Sequence, residues 1–191
     1  MRHLGPSNHI ESSHLEVSDE VLLESWRGGD DRAGPRLVDR YYEKIARFVL
    51  YKTSAEHASD VVQAIFLAMV QGLGGYRGTS TVRAWLFGIA RNKLLQHFAA
   101  IHNHHGRFDP DTSSVADLAR TPSSVLELDH KKRRLVLAMS RLAFDDQLML
   151  ELHYWDQVPI AEIATIVGKP INTVKIRMRR SRKKLAEWLA E

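Results

Sequence analysis

From residue 33 to residue 99 the apolar side chains return every three or four positions, and no stretch of the chain alternates apolar and polar residues over a credible strand. A return of that length places apolar groups on one side of an α-helix, so the chain is restricted to helix-on-helix packing. Leu37, Val38, Tyr41, Ile45, Phe48 and Val49 predict a helix over about 33–52. Ala58, Val61, Val62, Ile65, Phe66, Met69 and Val70 form the inward stripe of a second over about 55–73, which breaks at Gly72, Gly74 and Gly75. Val82, Trp85, Leu86, Ile89, Ala90 and Leu94 face inward on a third over about 80–99. Upstream, Ser18 as N-cap, Asp19 and Glu20 in the first turn and Gly28-Gly29 as a stop mark a helix over about 18–28.

Composition divides the chain. Residues 1–17 are polar, carry three histidines and are expected to be a disordered tail. At residue 100 large apolar side chains give way to His, Asp, Ser and Pro, which predicts a flexible linker over 100–122. A second helical block occupies 123–191. Ser123 is expected to cap a helix through Leu142, Asp145-Asp146 to start another through about Trp155, and Pro159 to sit in the first turn of a short helix ending at Gly168. Pro170 forbids continuation, so Asn172 or Thr173 is expected to cap the last helix. The expected fold class is all-α: two small helical domains, 18–99 and 123–191, on a flexible linker.

The chain has no cysteine, which removes disulfide scaffolds, thiolate nucleophiles and Cys-based zinc sites and suits a reducing compartment such as the cytoplasm. His102, His104, His105 and Asp109 are metal-ligand types, but a linker supplies no surrounding groups to fix them, and no metal or other cofactor is expected. No nucleophile–base set or phosphate-cradling glycine loop is present, so the chain does not read as an enzyme. No apolar run approaches the ~20 residues that span a bilayer, and the N-terminus has no apolar core of a secretory signal, so membrane insertion is not expected.

The net charge of +4 is concentrated at one end. Residues 172–191 hold Lys175, Arg177, Arg179, Arg180, Arg182, Lys183 and Lys184 against Glu187 and Glu191, leaving the rest of the chain close to neutral. No acid lies between Asn172 and Ala186 to pair with them along the helix, which suggests a bound polyanion. In front of this helix, Ile160, Ile163, Ala164 and Val167 make one apolar face, and Gly168-Lys169-Pro170 makes a tight turn. Val174, Met178, Ser181, Leu185 and Trp188 form a seam along the last helix, spaced 4, 3, 4, 3. Short helix, glycine turn and longer basic helix make a helix-turn-helix. In such a unit the second helix enters the major groove with its N-terminus leading. Asn172, Thr173, Lys175, Ile176 and Arg177 are placed to reach base edges, and Arg179, Arg180, Arg182 and Lys183 to reach phosphates.

These motifs resemble those of extracytoplasmic-function (ECF) sigma factors, small members of the sigma-70 family. Glu162-Ile163-Ala164, Gly168, Thr173-Val174-Lys175, Arg177 and Arg180-Ser181-Arg182 are in register with the EIA–G–TVKSR–RAR–L pattern of region 4. DVVQAIFLAMV is similar to region 2.2, and YRGTSTVRAWLFGIARNKLLQHF to regions 2.3 and 2.4. The resemblance implies a factor that joins core RNA polymerase through its β′ clamp and β flap. It would recognise minus-35 duplex with region 4 and melt the minus-10 element with region 2, capturing unpaired bases. The implied minus-10 residues are Tyr76, Arg77, Gly78, Thr79, Ser80, Thr81, Asn92, Lys93 and Gln96, and the implied polymerase contacts are Asp60, Gln63, Ala64 and Leu67. An anti-sigma factor or a kinase is the implied regulator.

Two stretches depart from the pattern. Gln96, Ala99 and Ala100 stand where the family often has Arg, and Ser59 and Ala64 where it often has acids. A phosphate on Ser59 would restore about −1.5 to −2 charges to the polymerase-facing segment. Two other readings share parts of the pattern: a LuxR-like helix-turn-helix regulator, and a sigma mimic that sequesters an anti-sigma factor.

Overall fold

The computed structural model of the chain describes residues 17–101, 109–118, 125 and 128–190. Helix α1 spans Asp19–Arg27, α2 Ala33–Leu50 and α3 Ala55–Gly72; a 3-10 turn, Leu73–Gly75, follows, and then α4, Val82–Ile101. These form the N-terminal module. The C-terminal module holds α6 (His130–Ser140), α7 (Phe144–Tyr154), α8 (Ile160–Val167) and α9 (Ile171–Ala190), with a short α5 (Val115–Leu118) ahead of them.

Local chemistry sets most of the ends. The Ser18 hydroxyl accepts from the Val21 amide, and acids follow in the first turn of α1. Gly168 adopts φ 65°, the left-handed conformation that closes α8, and the Lys169 amide returns to the Ala164 carbonyl. Helix α6 starts later than expected. Asp129 supplies its cap by accepting from the Lys132 amide, whereas Ser123 lies outside the described residues. Helix α9 begins at Ile171, so Asn172 and Thr173 occupy its first turn instead of capping it.

Helix α4 is buried on more than the one side expected. Phe87, absent from the predicted stripe, is fully buried with Leu86, Ala90 and Leu94, while Trp85 and Ile89 are only partly covered. The cause is its central position: α1, α2 and α3 cover one side and α8 packs on the other. The apolar core is therefore continuous through both modules, with Phe98 of α4 set edge-on to Phe144 of α7 at 5.7 Å.

Helix α3 with the following turn, 55–75, is long and apolar enough to cross a membrane by length and composition, contrary to the expectation from runs alone. Its buried stripe of Ala58, Val61, Val62, Ile65 and Met69 makes it a packing helix of the module. Phe66 and Val70, expected inside, instead lie half-buried and exposed on its outer side.

Part of the sequence between the modules is docked. The first amides of α7 have no partners within their own helix. The Phe144 amide donates to the Ser113 carbonyl at 2.9 Å and the Asp145 amide to the Pro110 carbonyl at 3.0 Å. Residues 109–115 thus satisfy the start of α7, and Val115 is buried there. His102, His104 and His105 lie outside the described residues. Asp109 accepts from the Asp111 amide and from the Thr112 hydroxyl, which makes it a turn residue. Residues 1–16 are also outside the described part.

The contact between α1 and α2 depends on one missing methyl. A Cβ at Gly34 would sit 2.4 Å from a ring-fusion carbon of Trp26. Alanine normally favours a helix over glycine by about 1 kcal/mol. Here the overlap outweighs that gain, and Gly34→Ala is expected to destabilise the protein by about 1–3 kcal/mol. A urea melt of the two chains measures it.

Candidate functional site

Three surfaces carry the residues singled out from the sequence. The first is the loop 76–81 and the start of α4. Tyr76 is buried; its ring lies 5.2 Å from Trp85 and its hydroxyl donates to the Ser80 carbonyl, so it braces the loop from inside. Arg77, Gly78 and Thr79 project outward, with Gly78 at φ 68° turning the chain, and Ser80 is partly covered. The Thr81 hydroxyl accepts from the Ala84 amide, starting α4, and donates to Glu162 of α8 at 2.8 Å. On α4 Asn92 and Gln96 are exposed and Lys93 is half-buried.

The second surface is an apolar groove of about 540 Å³ between α2 and α3, lined by Val38, Tyr42, Val62, Phe66, Leu67 and Val70, with Ser59 and Gln63 at its edge. Tyr42 and Phe66 stack at 6.0 Å, and Leu67 remains 55% exposed. Asp60 and Gln63 are exposed on the same helix and Ala64 is half-buried. Helical spacing assigns Val38, Phe66 and Val70 to the core, the family resemblance points to Leu67, and Tyr42 belongs to neither set. A helix apolar nearly all round offers no local signal for which side stays open.

The third is α9. Val174, Met178, Ser181 and Leu185 are buried as the 4-3-4 spacing predicts, and Trp188 is partly buried. Asn172, Lys175, Ile176, Arg179, Arg180, Arg182 and Lys183 are exposed, and Thr173 is half-buried. Arg177 behaves differently. Its Nε donates to Asp146 at 2.5 Å and its Nη1 to Asp111, so the guanidinium is tied to the docked segment and to α7. Lys169 also donates to Asp111, at 2.8 Å. Burial by itself would raise the Asp111 carboxyl, but these two cations hold it below the usual carboxylate range.

The modules meet through polar groups beside these surfaces. Lys52, at the end of α2, is fully buried; its Nζ donates to Glu151 of α7 and to the Phe48 carbonyl at 3.0 Å. Burial pushes the Lys52 ammonium below its ordinary value, and Glu151 pulls it back. Arg47 pairs with Asp156 at 2.7 Å, Arg83 with Glu162 at 3.1 Å and Arg91 with Asp145 at 2.8 Å. No local pattern in the sequence marks these pairings, since the partners lie 54 to 109 positions apart.

Among the described residues no cluster of three His, Cys, Asp or Glu side chains could hold a metal ion. The described residues thus present an outward basic helix, a loop with Arg77 and Thr79 exposed, and an apolar groove.

Comparison with known proteins places two family models along the chain. Residues 37–104 match the family model described as Sigma-70 region 2, and residues 132–185 the one described as Sigma-70, region 4. The RNA polymerase sigma-H factor of Pseudomonas aeruginosa is 28% identical over 187 residues, covering 91% of this chain and 95% of that protein. The ECF RNA polymerase sigma-E factor of Escherichia coli is 26% identical over 175 residues, covering 87% and 92%. Among solved structures, CnrH in complex with the cytosolic domain of CnrY superposes with a TM-score of 0.69 at 23% identity, covering 91% of this chain and 98% of that one. The sigma factor RpoE in complex with the anti-sigma factor NepR from Bartonella quintana gives 0.61 at 22%, covering 82% and 96%. At these identities the two structures speak for the fold.

Proposed function

This chain belongs to the sigma-70 family, in its two-region ECF form, and on that premise we propose that it joins core RNA polymerase in the cytoplasm and directs it to promoters with two separated elements. The observation that carries the reading is the presence in one chain of an outward basic helix-turn-helix and, on a separate module, an exposed loop and an apolar groove. Duplex and melted strands need different surfaces, and the two modules supply them.

In this reading Lys175, Ile176, Asn172 and Thr173 read minus-35 bases, while Arg179, Arg180, Arg182 and Lys183 hold phosphates. Arg177 reaches a base only after exchanging Asp111 and Asp146 for DNA. Arg77, Gly78, Thr79, Ser80 and Thr81 hold an unpaired minus-10 base, with Tyr76 as their internal support and Asn92, Lys93 and Gln96 along the strand. Melting needs no catalytic group. A surface that binds the unpaired strand better than duplex shifts the equilibrium by that difference. Asp60, Gln63, Ala64 and Leu67, with the newly located Tyr42, Phe66 and Val70, face the β′ clamp, and the C-terminal module faces the β flap. An anti-sigma factor is the proposed regulator, as the NepR complex of a fold neighbour suggests.

Reconstituted transcription tests this. With core polymerase the chain should select start sites on matched promoters, and pre-melted promoters should relieve the need for residues 76–81. Absence of start-site selection on both templates would overturn the reading.

Ser59 is exposed beside Asp60 at the groove edge, so a kinase can reach it. We propose that phosphorylation there strengthens docking on a basic clamp surface. Ser59→Glu is expected to bind core polymerase about fivefold more tightly than Ser59→Ala, the equivalent of about 1 kcal/mol for an exposed charge. Equal affinities in a fluorescence titration would refute the switch.

A further inference from the structure

Where the two modules meet, the chain encloses an apolar cavity that belongs to none of the three surfaces above. It measures about 370 Å³, within the span of small-molecule sites. Tyr51, which closes α2, and Trp155, which closes α7, both line it, their rings edge-on at 6.3 Å. Leu128, just ahead of α6, and Leu135 and Val136 on that helix complete the apolar lining.

Two charged side chains reach the lining, Arg47 from α2 and Lys132 from α6, and among the described residues no acid does. Arg47 donates to Asp156 at 2.7 Å, but its side chain is 42% exposed while that of Asp156 is 4% exposed. A guanidinium carries five N–H donors, so this pairing leaves room for a second acceptor. Lys132 meets Asp129 at 3.2 Å within one turn, an exposed pair of the kind that holds weakly. The surroundings add positive charge. Lys131, Arg133 and Arg134 flank Lys132 in the chain. Burial pushes the Asp156 carboxyl up, and Arg47, Lys44 and Lys52 pull it back.

Ring and aliphatic walls with two exposed cations suit an apolar body that carries one anionic group. The rings favour a flat, rigid body over a flexible chain, which would lose rotamer freedom on binding. We propose that this cavity binds a small aromatic monocarboxylate, its ring against Tyr51 and Trp155 and its carboxylate between Arg47 and Lys132. The walls come from both modules, so the occupant binds them as a packed pair and adds to that packing by mass action. The site thereby ties the contact between the modules to the concentration of a small molecule. It does not depend on the promoter-binding reading above.

The probe is 2-naphthoate, with 2-naphthalenemethanol as its neutral counterpart. Calorimetric titration of the full-length chain should give a Kd of about 0.1 mM for the acid, the range expected from the binding energy per atom of a small ligand. The alcohol should bind about tenfold more weakly, since it forgoes the charge-assisted hydrogen bonds. Saturating acid should raise the urea midpoint of the chain. Lys132→Gln leaves the Asp129 cap in place, because that cap uses the backbone amide. It should weaken the acid about fivefold and leave the alcohol unchanged. Leu128→Trp, which fills the cavity, should abolish binding of both. The inference is overturned if the acid fails to bind at about ten times the expected Kd. It is equally overturned if the alcohol binds as tightly as the acid, if Lys132→Gln holds the acid unchanged, or if Leu128→Trp binds both as before. No polymerase or DNA enters the titration, so any of these results refutes the cavity site alone and leaves start-site selection to its own test.

Discussion

Glu151→Ala is expected to remove about 3–5 kcal/mol of the stability that depends on the two modules being packed together, the usual consequence of leaving a buried charge without its partner. Lys52 is fully buried and Glu151 is 2% exposed, so water cannot replace the lost carboxylate while the modules stay in contact. The substitution also takes away the acceptor of Gln147 Nε2, 2.7 Å from Glu151. The loss has a ceiling, because parting the modules returns Lys52 to water. Urea melts should accordingly show the variant separating into two transitions. Replacing both partners, Lys52→Met with Glu151→Leu, should recover most of the loss. An apolar pair of similar volume avoids the desolvation of two charges. If Glu151→Ala melts within about 1 kcal/mol of the unaltered chain, Lys52 is not held as the packing implies.

Neutralising Arg179, Arg180 and Lys183 to Ala together should weaken binding to upstream-element duplex by roughly a hundredfold at moderate salt, and lower the slope of log affinity against log salt by about 2.7. All three side chains are exposed on α9, so the helix keeps its buried seam of Val174, Met178, Ser181 and Leu185. Alanine also favours helix. Fluorescence anisotropy over a salt series measures both quantities. Deleting 172–191 would not give the same information, since it also strips Val174, Met178 and Leu185 from the core. Arg177→Ala should differ in kind. Its partners are Asp111 and Asp146, so its removal should loosen residues 109–115 from α7 as well as alter DNA contacts. An unchanged salt slope in the triple variant would show that these cations do not meet phosphate.

Most helices of this chain could be located from the sequence because their causes are local. The spacing of Leu37, Tyr41, Ile45 and Phe48, the cap at Ser18 and the left-handed turn at Gly168 each act within a few residues. The helix-turn-helix and its basic face were legible for the same reason: the 4-3-4 seam of α9 dictates which side chains must point away from the core. Where only neighbours in space decide, the sequence was silent. Helix α3 is apolar on both sides, so which side opens into a groove at Tyr42 and Phe66 depends on α4 packing against the other.

The charges show the same division. That α9 is basic follows from its residues alone, but that Arg177 is tied down follows from Asp111, 66 positions away. Arg83 meets Glu162 across 79 positions, and Lys52 meets Glu151 across 99. A residue's helical state and the side it faces are settled by energies between near neighbours in the chain. Its partner is settled by which distant surface the fold brings within about 3 Å, the range of a hydrogen bond, and no local pattern encodes that distance.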